Sequence, residues 1–149
     1  DRTQGFAITR TLQAPPEVVW REWTDPDEAP HWYHPRNLTT PRELVSMDVR
    51  KGGAYRYTMV TEDGQEYPTG GIYLEVRKPH RLVFTWGDPD AKVDESLVIT
   101  VTLEPAGEDG DRTHLTFELA GAAGAPGDDS FYDGWVQALD LLEERLDER

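Results

Sequence analysis

The 149-residue sequence contains no cysteine, and this absence excludes several kinds of chemistry. Disulfide bridges, thiol nucleophiles, zinc–cysteine centres and iron–sulfur clusters all require cysteine. No apolar run approaches the roughly 20 residues that a membrane-spanning helix needs, and no signal segment opens the printed chain. We therefore expect a soluble, cytoplasmic protein that does not insert into membranes and carries no cofactor.

Basic residues are also scarce. The chain has 29 acidic residues against 15 lysines and arginines, a formal net charge of −14. The imbalance is strongest from Glu104 to Arg149, which holds 13 acidic and 3 basic residues. Phosphate backbones and anionic lipids are bound through lysine and arginine. The composition therefore excludes nucleic-acid binding and disfavours membrane-surface binding, and most of the acids are expected to solvate the surface.

Aromatic residues, by contrast, are plentiful, with 5 Trp, 6 Tyr and 4 Phe. Together with a hydrophobic fraction of 37%, they indicate a globular chain rather than a disordered one. The length corresponds to about one domain. Since no internal repeat or low-complexity linker interrupts the chain, we predict one domain over residues 1–149.

The first third of the sequence predicts one strand followed by two short helices. Apolar residues alternate weakly over Thr3–Gln13, as in a strand. Pro16 stands where a helix begins, because proline is tolerated in the first turn. That helix is predicted to end at Asp25, which can cap a second, short helix running toward Trp32. Pro30 limits the length of this second helix.

From residue 43 onward the apolar period changes to two, which is typical of strands. Gly70 and Gly71 are interpreted as a bulge, where a missing Cβ allows close approach. Tight turns separate the segments, so we predict an antiparallel sheet of about seven strands with one solvated face. After the first strand, the predicted strands lie in 43–49, 54–61, 71–77, 81–86, 97–103 and 115–119.

The C-terminal segment predicts one long amphipathic helix. It follows a stretch rich in glycine, alanine and proline at residues 120–127, and Asp128 or Ser130 can cap it. Apolar residues recur every three or four positions from Phe131 to Leu146, with acids largely opposite. The apolar stripe must be buried, so we expect the helix to lie on the unsolvated face of the sheet. The predicted class is α+β, a curved sheet wrapped around this helix.

Many of the rings predicted to face inward could line a cavity between helix and sheet. Aromatic walls with a few hydroxyl groups suit an apolar, partly oxygenated ligand. The alternative is that these rings simply form the core. The predicted lining residues are Trp32, Tyr55, Tyr57, Met59, Tyr73, Phe84, Trp86, Phe131, Trp135 and Leu139; the direction of Tyr73 depends on the position of the bulge.

Short motifs spread over nearly the whole chain carry a family resemblance through their order and spacing. They include Ala14-Pro15, Trp23-Thr24-Asp25-Pro26, Gly52-Gly53-Ala54-Tyr55-Arg56, Pro79-His80-Arg81-Leu82-Val83-Phe84-Thr85-Trp86 and Gly134-Trp135. In these motifs the chain resembles bacterial proteins similar to the C-terminal domain of the activator of Hsp90 ATPase, within the START/Bet v 1-like (SRPBCC) superfamily.

The resemblance implies a helix-grip fold with a hydrophobic cavity under the terminal helix. Some family members in antibiotic-producing bacteria protect their host by engaging a natural product. Where relatives often have two adjacent tryptophans, this chain has Trp32-Tyr33, which can bring a hydroxyl or a different pocket rim. Nothing in the sequence corresponds to the separate Hsp90-binding domain of the eukaryotic activator, so chaperone activation is not carried over.

Three functional hypotheses follow, and the first is preferred. The first is non-enzymatic binding of a small hydrophobic molecule, by a monomer or homodimer. The second is a cyclase- or hydrolase-type enzyme, in which Glu75 would act as general acid or base if it faced the cavity; the alternative is an outward Glu75 paired with an arginine. The third is a co-chaperone-like interaction module that binds a basic partner through the acidic terminal helix. His31 and His34 offer only two metal ligands, so we predict no metal site.

Overall fold

Seven strands and two α-helices are formed by residues 3–149, the part of the chain that this computed structural model describes. No helix within that part has the length and apolarity needed to cross a membrane. In chain order the elements are β1 (Gly5–Leu12), α1 (Pro16–Thr24), β2 (Ser46–Met47), β3 (Ala54–Val60), β4 (Glu66–Arg77), β5 (Arg81–Trp86), β6 (Leu97–Ala106), β7 (Arg112–Ala120) and α2 (Phe131–Asp147), with single 3-10 turns at Ala29–His31, Arg42–Leu44 and Val93–Glu95.

The strands form one antiparallel sheet in the order β1-β7-β6-β5-β4-β3-β2. The chain therefore passes from β1 at one edge to β2 at the other and returns strand by strand. Alternate residues of β7 and β6 are buried, including Leu115, Phe117, Ile99 and Val101. This is the pattern of a sheet with one face covered, and it confirms the predicted α+β helix-grip architecture.

The two halves of strand β4 are paired differently. Its first half pairs with β3 from Glu66 to Ile72, and its second half pairs with β5 from Tyr73 onward; a single bridge continues this second pairing between Gly70 and Gly87, just past the end of β5. A β-bulge lies between Tyr73 and Glu75, not at Gly70-Gly71 as predicted. The strand also begins five residues earlier than the predicted start. Since a bulge bends its strand, the β3–β4 end can turn relative to the rest of the sheet.

Gly71 is needed where the two halves of β4 meet. A Cβ built at this residue would lie 2.1 Å from the carbonyl oxygen of Thr85. That carbonyl accepts a hydrogen bond from the Tyr55 hydroxyl at 2.6 Å, and the Thr85 hydroxyl accepts one from the Ile72 amide at 2.8 Å. Two side-chain hydrogen bonds therefore take the place of backbone ladder bonds at Thr85. The glycine lets the backbone of β4 approach Thr85 closely.

Proline residues determine where helix α1 begins and ends. Pro15 and Pro16 open the helix, where a missing amide costs nothing. It ends at Thr24 because Asp25, the residue before Pro26, adopts an extended conformation. The predicted second short helix is a single 3-10 turn, Ala29–His31. Trp20 and Trp23 are buried on the inner side of α1, so this helix closes part of the space between sheet and α2.

Helix α2 lies with its apolar stripe on the sheet. The buried residues are Trp135, Ala138, Leu139, Leu142 and Leu146, at the spacing predicted from the sequence. Ser130 occupies the N-cap position, but its side chain makes no capping bond. The Asp128 carboxylate accepts the Asp133 amide, and the Asp133 carboxylate accepts the amides of Gly127 and Asp129. This reciprocal pair holds the loop before α2 against its first turn.

A half-buried ion-pair network joins the two helices. Arg145 on α2 donates to both carboxylate oxygens of Glu22 on α1, at 3.0 and 3.2 Å, and to Glu28 at 2.8 Å. The Glu22 side chain is only 8% exposed, so its charge depends on this fork for compensation.

Removing the Arg145 guanidinium should therefore destabilise the fold. We expect Arg145→Met to lower the free energy of unfolding by about 2–4 kcal/mol, because a buried carboxylate loses its partner. The matched control is Arg36→Met, which breaks an exposed pair with Glu144 on the same helix and should cost less than about 1 kcal/mol. Urea denaturation of both variants measures the difference; equal effects would contradict the role given to Glu22.

Candidate functional site

A cleft of about 770 Å³ opens between the first turns of α2 and the β3–β4 end of the sheet. Strands β3, β4 and β5 form one wall, α2 forms the opposite wall, and the segment from Tyr33 to Leu38 closes one side. The cleft lies beside the first part of β4, which extends beyond the end of β5. It therefore opens at one end of the grip.

Rings and apolar side chains form most of the cleft surface, and polar groups lie among them. The apolar lining consists of Tyr33, Pro35, Leu38, Tyr57, Met59, Tyr67, Pro68, Trp86, Leu97, Phe131, Trp135 and Ala138. The polar and small lining residues are His34, Asn37, Thr61, Glu66, Thr69, Gly87, Asp88, Asp129, Ser130, Asp133, Gly134 and Gln137.

Half of the ten predicted lining residues meet at this cleft. Tyr57, Met59, Trp86, Phe131 and Trp135 lie on its walls. They come from three different elements, β3, β5 and α2, and the rings of Trp86 lie 5.4 Å from Phe131 and 5.5 Å from Trp135. Their binding role stays a prediction.

The other five predicted residues lie in the packed interior and do not border the cleft. They are Trp32, Tyr55, Tyr73, Phe84 and Leu139, each at most 2% exposed. Trp23 of α1 packs against two of them, with its ring 4.6 Å from the Trp32 ring and 6.3 Å from the Phe84 ring. No pattern in the sequence indicated that Trp23 would pack here, under α2.

A buried hydrogen bond links two rings of the wall. The Trp86 indole N–H donates to the Tyr57 hydroxyl oxygen at 2.7 Å. Because the oxygen accepts this bond, the Tyr57 proton is free to be donated elsewhere. Burial raises the pKa of Tyr57 more than the hydrogen bond from Trp86 lowers it, so the hydroxyl stays protonated at neutral pH.

The indole nitrogen of Trp135 lies behind the wall. Trp135 is 4% exposed, and its Nε1 is buried without a hydrogen-bond partner in the structure. A buried donor without a partner costs free energy. Trp23 Nε1 is also buried without a partner. The Trp135 ring therefore contributes apolar surface to the cleft, while its N–H is out of reach of the cleft.

Glu75, the candidate catalytic carboxylate, lies outside the cleft. Its Oε2 is 2.7 Å from Arg77 Nε and 3.1 Å from Arg81 Nε, and its side chain is 30% exposed. The bulge before Glu75 resets the alternation of β4, so Tyr73 is buried while Glu75 meets the two arginines. Of the two alternatives given for Glu75, this is the arginine-paired one.

The histidines do not assemble a metal centre. Among residues 3–149 no group of three or more histidine, cysteine, aspartate or glutamate side chains could hold a metal ion. His31 is exposed, whereas His34 borders the cleft with its Nδ1 2.8 Å from the Pro35 carbonyl oxygen.

Several lining residues were not predicted from the sequence. Tyr67 was missed because the start of β4 was placed after it; Pro68 disfavours a strand in the sequence. Leu38 and Leu97 reach the cleft only through tertiary placement. Tyr33, noted as a departure from the usual second tryptophan, lies on the cleft wall 5.0 Å from the Tyr57 ring.

Comparison with known proteins agrees with this architecture and adds the family. The class is a helix-grip protein, with a terminal helix held across a curved antiparallel sheet. The family model described as "Activator of Hsp90 ATPase homolog 1-like protein" matches residues 13–147. The chain belongs to that family.

Solved structures share this fold. A protein from Chromobacterium violaceum is 29% identical, with a TM-score of 0.79 over 96% of this chain and 97% of its own. One from Nitrosomonas europaea is 24% identical, with a TM-score of 0.80 over 99% and 97%. An Hsp90 activator from Plasmodium falciparum is 21% identical, with a TM-score of 0.68 over 97% and 96%. A search of the curated proteins found no match to this sequence.

Four buried tyrosines predict how the protein responds to alkaline pH. Burial raises the pKa of Tyr33, Tyr55, Tyr57 and Tyr73 above the ordinary value of 10.0. Above about pH 10 the unfolded chain loses protons that the folded chain keeps, so the free energy of unfolding falls as pH rises, by about 1.4 kcal/mol per pH unit for each tyrosine. Below that pH these groups leave stability unchanged.

Absorbance at 295 nm and far-UV circular dichroism, followed together from pH 8 to 13, check this expectation. Ionisation of the four tyrosines should coincide with loss of secondary structure. Ionisation of all 6 tyrosines near pH 10 with the circular dichroism unchanged would contradict the burial described here.

Proposed function

We propose that this protein binds a small, largely apolar molecule in the cleft between α2 and the β3–β4 end of the sheet, without transforming it. The observation that carries the proposal is the wall itself. Tyr57, Trp86 and Trp135 are three large, buried rings that border open space. Rings supply contact area, and the polar groups among the lining residues supply orientation.

The size of the cleft supports the same function. Sites for small organic molecules are clefts of roughly 300–1,000 Å³ with mainly apolar walls and a few polar groups. A volume of about 770 Å³ falls in that range. It would accommodate a molecule of several fused rings, and not an extended peptide.

Exposed apolar side chains are concentrated at this place. Among the described residues only four large hydrophobic side chains are exposed, and two of them, Tyr67 and Phe131, border the cleft. They are 44% and 39% exposed. Exposed apolar surface next to a concave site is typical of a ligand entrance.

Gly134 leaves room in the cleft at a cost in helix stability. It lies in the first turns of α2, where glycine is up to about 1 kcal/mol less favourable than alanine. A Cβ at this position would meet only Pro35 Cγ at 3.6 Å, an ordinary contact. Packing therefore does not require glycine here, whereas an open cleft benefits from it.

The enzyme alternative has less support. Glu75 is paired with Arg77 and Arg81 away from the cleft. The carboxylates that do border the cleft include Asp133, which accepts two backbone amides of the loop before α2.

The interaction-module alternative is weakened by ion pairs within the chain. The acidic face of α2 is partly neutralised, because Arg10 pairs with Asp140 and Glu143 and Arg36 pairs with Glu144. The Hsp90 activation named for the Plasmodium relative is not proposed for this chain, since 21% identity supports a shared fold alone.

Filling the cleft from Gly134 should block binding without unfolding the protein. The neutral dye Nile red, whose fluorescence rises in apolar sites, serves as the probe. We expect Gly134→Leu to weaken Nile red binding at least about tenfold, because the new side chain occupies the wall, while the melting temperature stays equal or rises through better helix propensity.

Gly134→Ala is the matched control. It brings the same helix advantage with only one methyl group, so it should raise the melting temperature and retain most of the dye affinity. Fluorescence titration and thermal unfolding measure both. Undiminished dye binding by Gly134→Leu would show that the dye binds elsewhere, and the proposal would then fail.

The natural ligand is expected to co-purify if its affinity is high. A natural product of the host, as in self-resistance members of the family, a cytoplasmic location and a monomeric or homodimeric state all stay predictions. Native mass spectrometry of the protein from its own source would detect an added small-molecule mass and the number of chains together.

A further inference from the structure

We infer that the cleft selects positively charged ligands: a lipophilic molecule with an ammonium group at the cleft mouth. This inference rests on the proposed binding function and specifies its ligand class. It follows from the charge of the lining, from the partners of its carboxylates and from the aromatic rings of its wall.

The charged lining is of one sign. Glu66, Asp88, Asp129 and Asp133 border the cleft, and none of the lysines or arginines in residues 3–149 does. Arg36 lies between the lining residues Pro35 and Asn37 in the sequence, but its side chain forms an ion pair with Glu144. An anionic ligand would therefore meet uncompensated repulsion, and a cationic one attraction, in a site with a net charge of the same sign as the whole chain.

These carboxylates are not neutralised within the described chain. No ion pair joins any of the four to a lysine or arginine among residues 3–149, although most acids on the outer face of α2 have one. Asp133 and Asp88 accept backbone amides, which leaves their charge in place. Glu66 is exposed at the start of β4 and has no such bond.

The rings of the lining favour the same ligand charge. Tryptophan and tyrosine faces attract ammonium groups through their quadrupoles, and tryptophan does so best. Trp86, Tyr57 and Trp135 are on the wall, and the more exposed Phe131 lies 5.4 Å from Trp86. An aromatic wall beneath a carboxylate rim is thus suited to a hydrophobic body that ends in a cation.

Three probes with one common ring system test the charge preference: the cation of 1-naphthylmethylamine, the neutral alcohol 1-naphthylmethanol, and the carboxylate anion of 1-naphthaleneacetic acid. They are compared by displacement of Nile red at pH 8, in 20 mM and 300 mM NaCl. We expect the ammonium compound to bind about tenfold more tightly than the carboxylate at low salt, with the alcohol between them. The difference should shrink at high salt, because the rim is exposed.

Two variants identify the charges responsible. Glu66→Gln and Asp88→Asn keep side-chain shape and should each weaken the ammonium probe about twofold to fivefold, with the alcohol unchanged. Glu108→Gln is the matched control. It removes one charge from the exposed β6–β7 turn, which does not border the cleft, and should leave all three affinities unchanged.

Each outcome is decisive. Equal affinity of all three probes, or tighter binding of the carboxylate, would overturn the charge preference while leaving the binding function intact. An equal loss in the Glu108→Gln control would assign the preference to net charge and overturn the cleft rim as its source. If neither Nile red nor any naphthyl probe binds, the proposed function itself fails and this inference fails with it.

Discussion

The indole ring of Trp23 is the contact on which the arrangement of this molecule depends. It lies between helix α1 and the rest of the interior, 4.6 Å from Trp32 and stacked at 6.2 and 6.4 Å from Trp135 and Phe117. Rings from α1, α2 and the sheet thus meet at one point. Because aromatic pairs have preferred separations and orientations, this cluster fixes where α2 lies on the sheet.

The open half lies beside the first part of β4, which extends beyond the end of β5 and stays paired with β3. Just past the end of β5, the Gly70 amide still donates to the Gly87 carbonyl oxygen, and side-chain bonds join the Tyr55 hydroxyl to the Thr85 carbonyl and the Ile72 amide to the Thr85 hydroxyl. These bonds give the backbone groups at this point partners within the chain. The space is bordered by β3, β4 and the first turns of α2, and Gly134 contributes no side chain to it.

Charge is distributed in two ways around this fold. Along α2, acids on the outer face are paired with Arg10 and Arg36, and Arg145 compensates the buried Glu22. At the cleft the carboxylates have no such partners among the described residues. The acidic residues therefore have two roles. Those on the outer face of α2 solvate the surface, and those that border the cleft give it a negative potential. Net charge alone cannot distinguish these two roles.

The sequence predicted the elements far better than the site. Alternation of apolar residues predicted β5 to the residue and β3 to within one, and the helical spacing of Trp135, Leu139, Leu142 and Leu146 predicted the buried stripe of α2. These patterns are local, since each side chain's direction follows from the period of its own element. The start of β4 was missed where Pro68 weakens the strand pattern, and the bulge was placed at the glycines.

The sequence by itself determined that a long amphipathic helix must cover an aromatic sheet face, because neither surface can remain in water. It did not determine which rings would touch one another. Only the tertiary structure decided that Trp23 would pack against Trp32 and Phe84 and that Trp86 and Trp135 would border open space. Periodicity states whether a side chain is inside, but whether a buried ring meets another ring or a cleft depends on how distant elements are placed, and no local pattern records that placement.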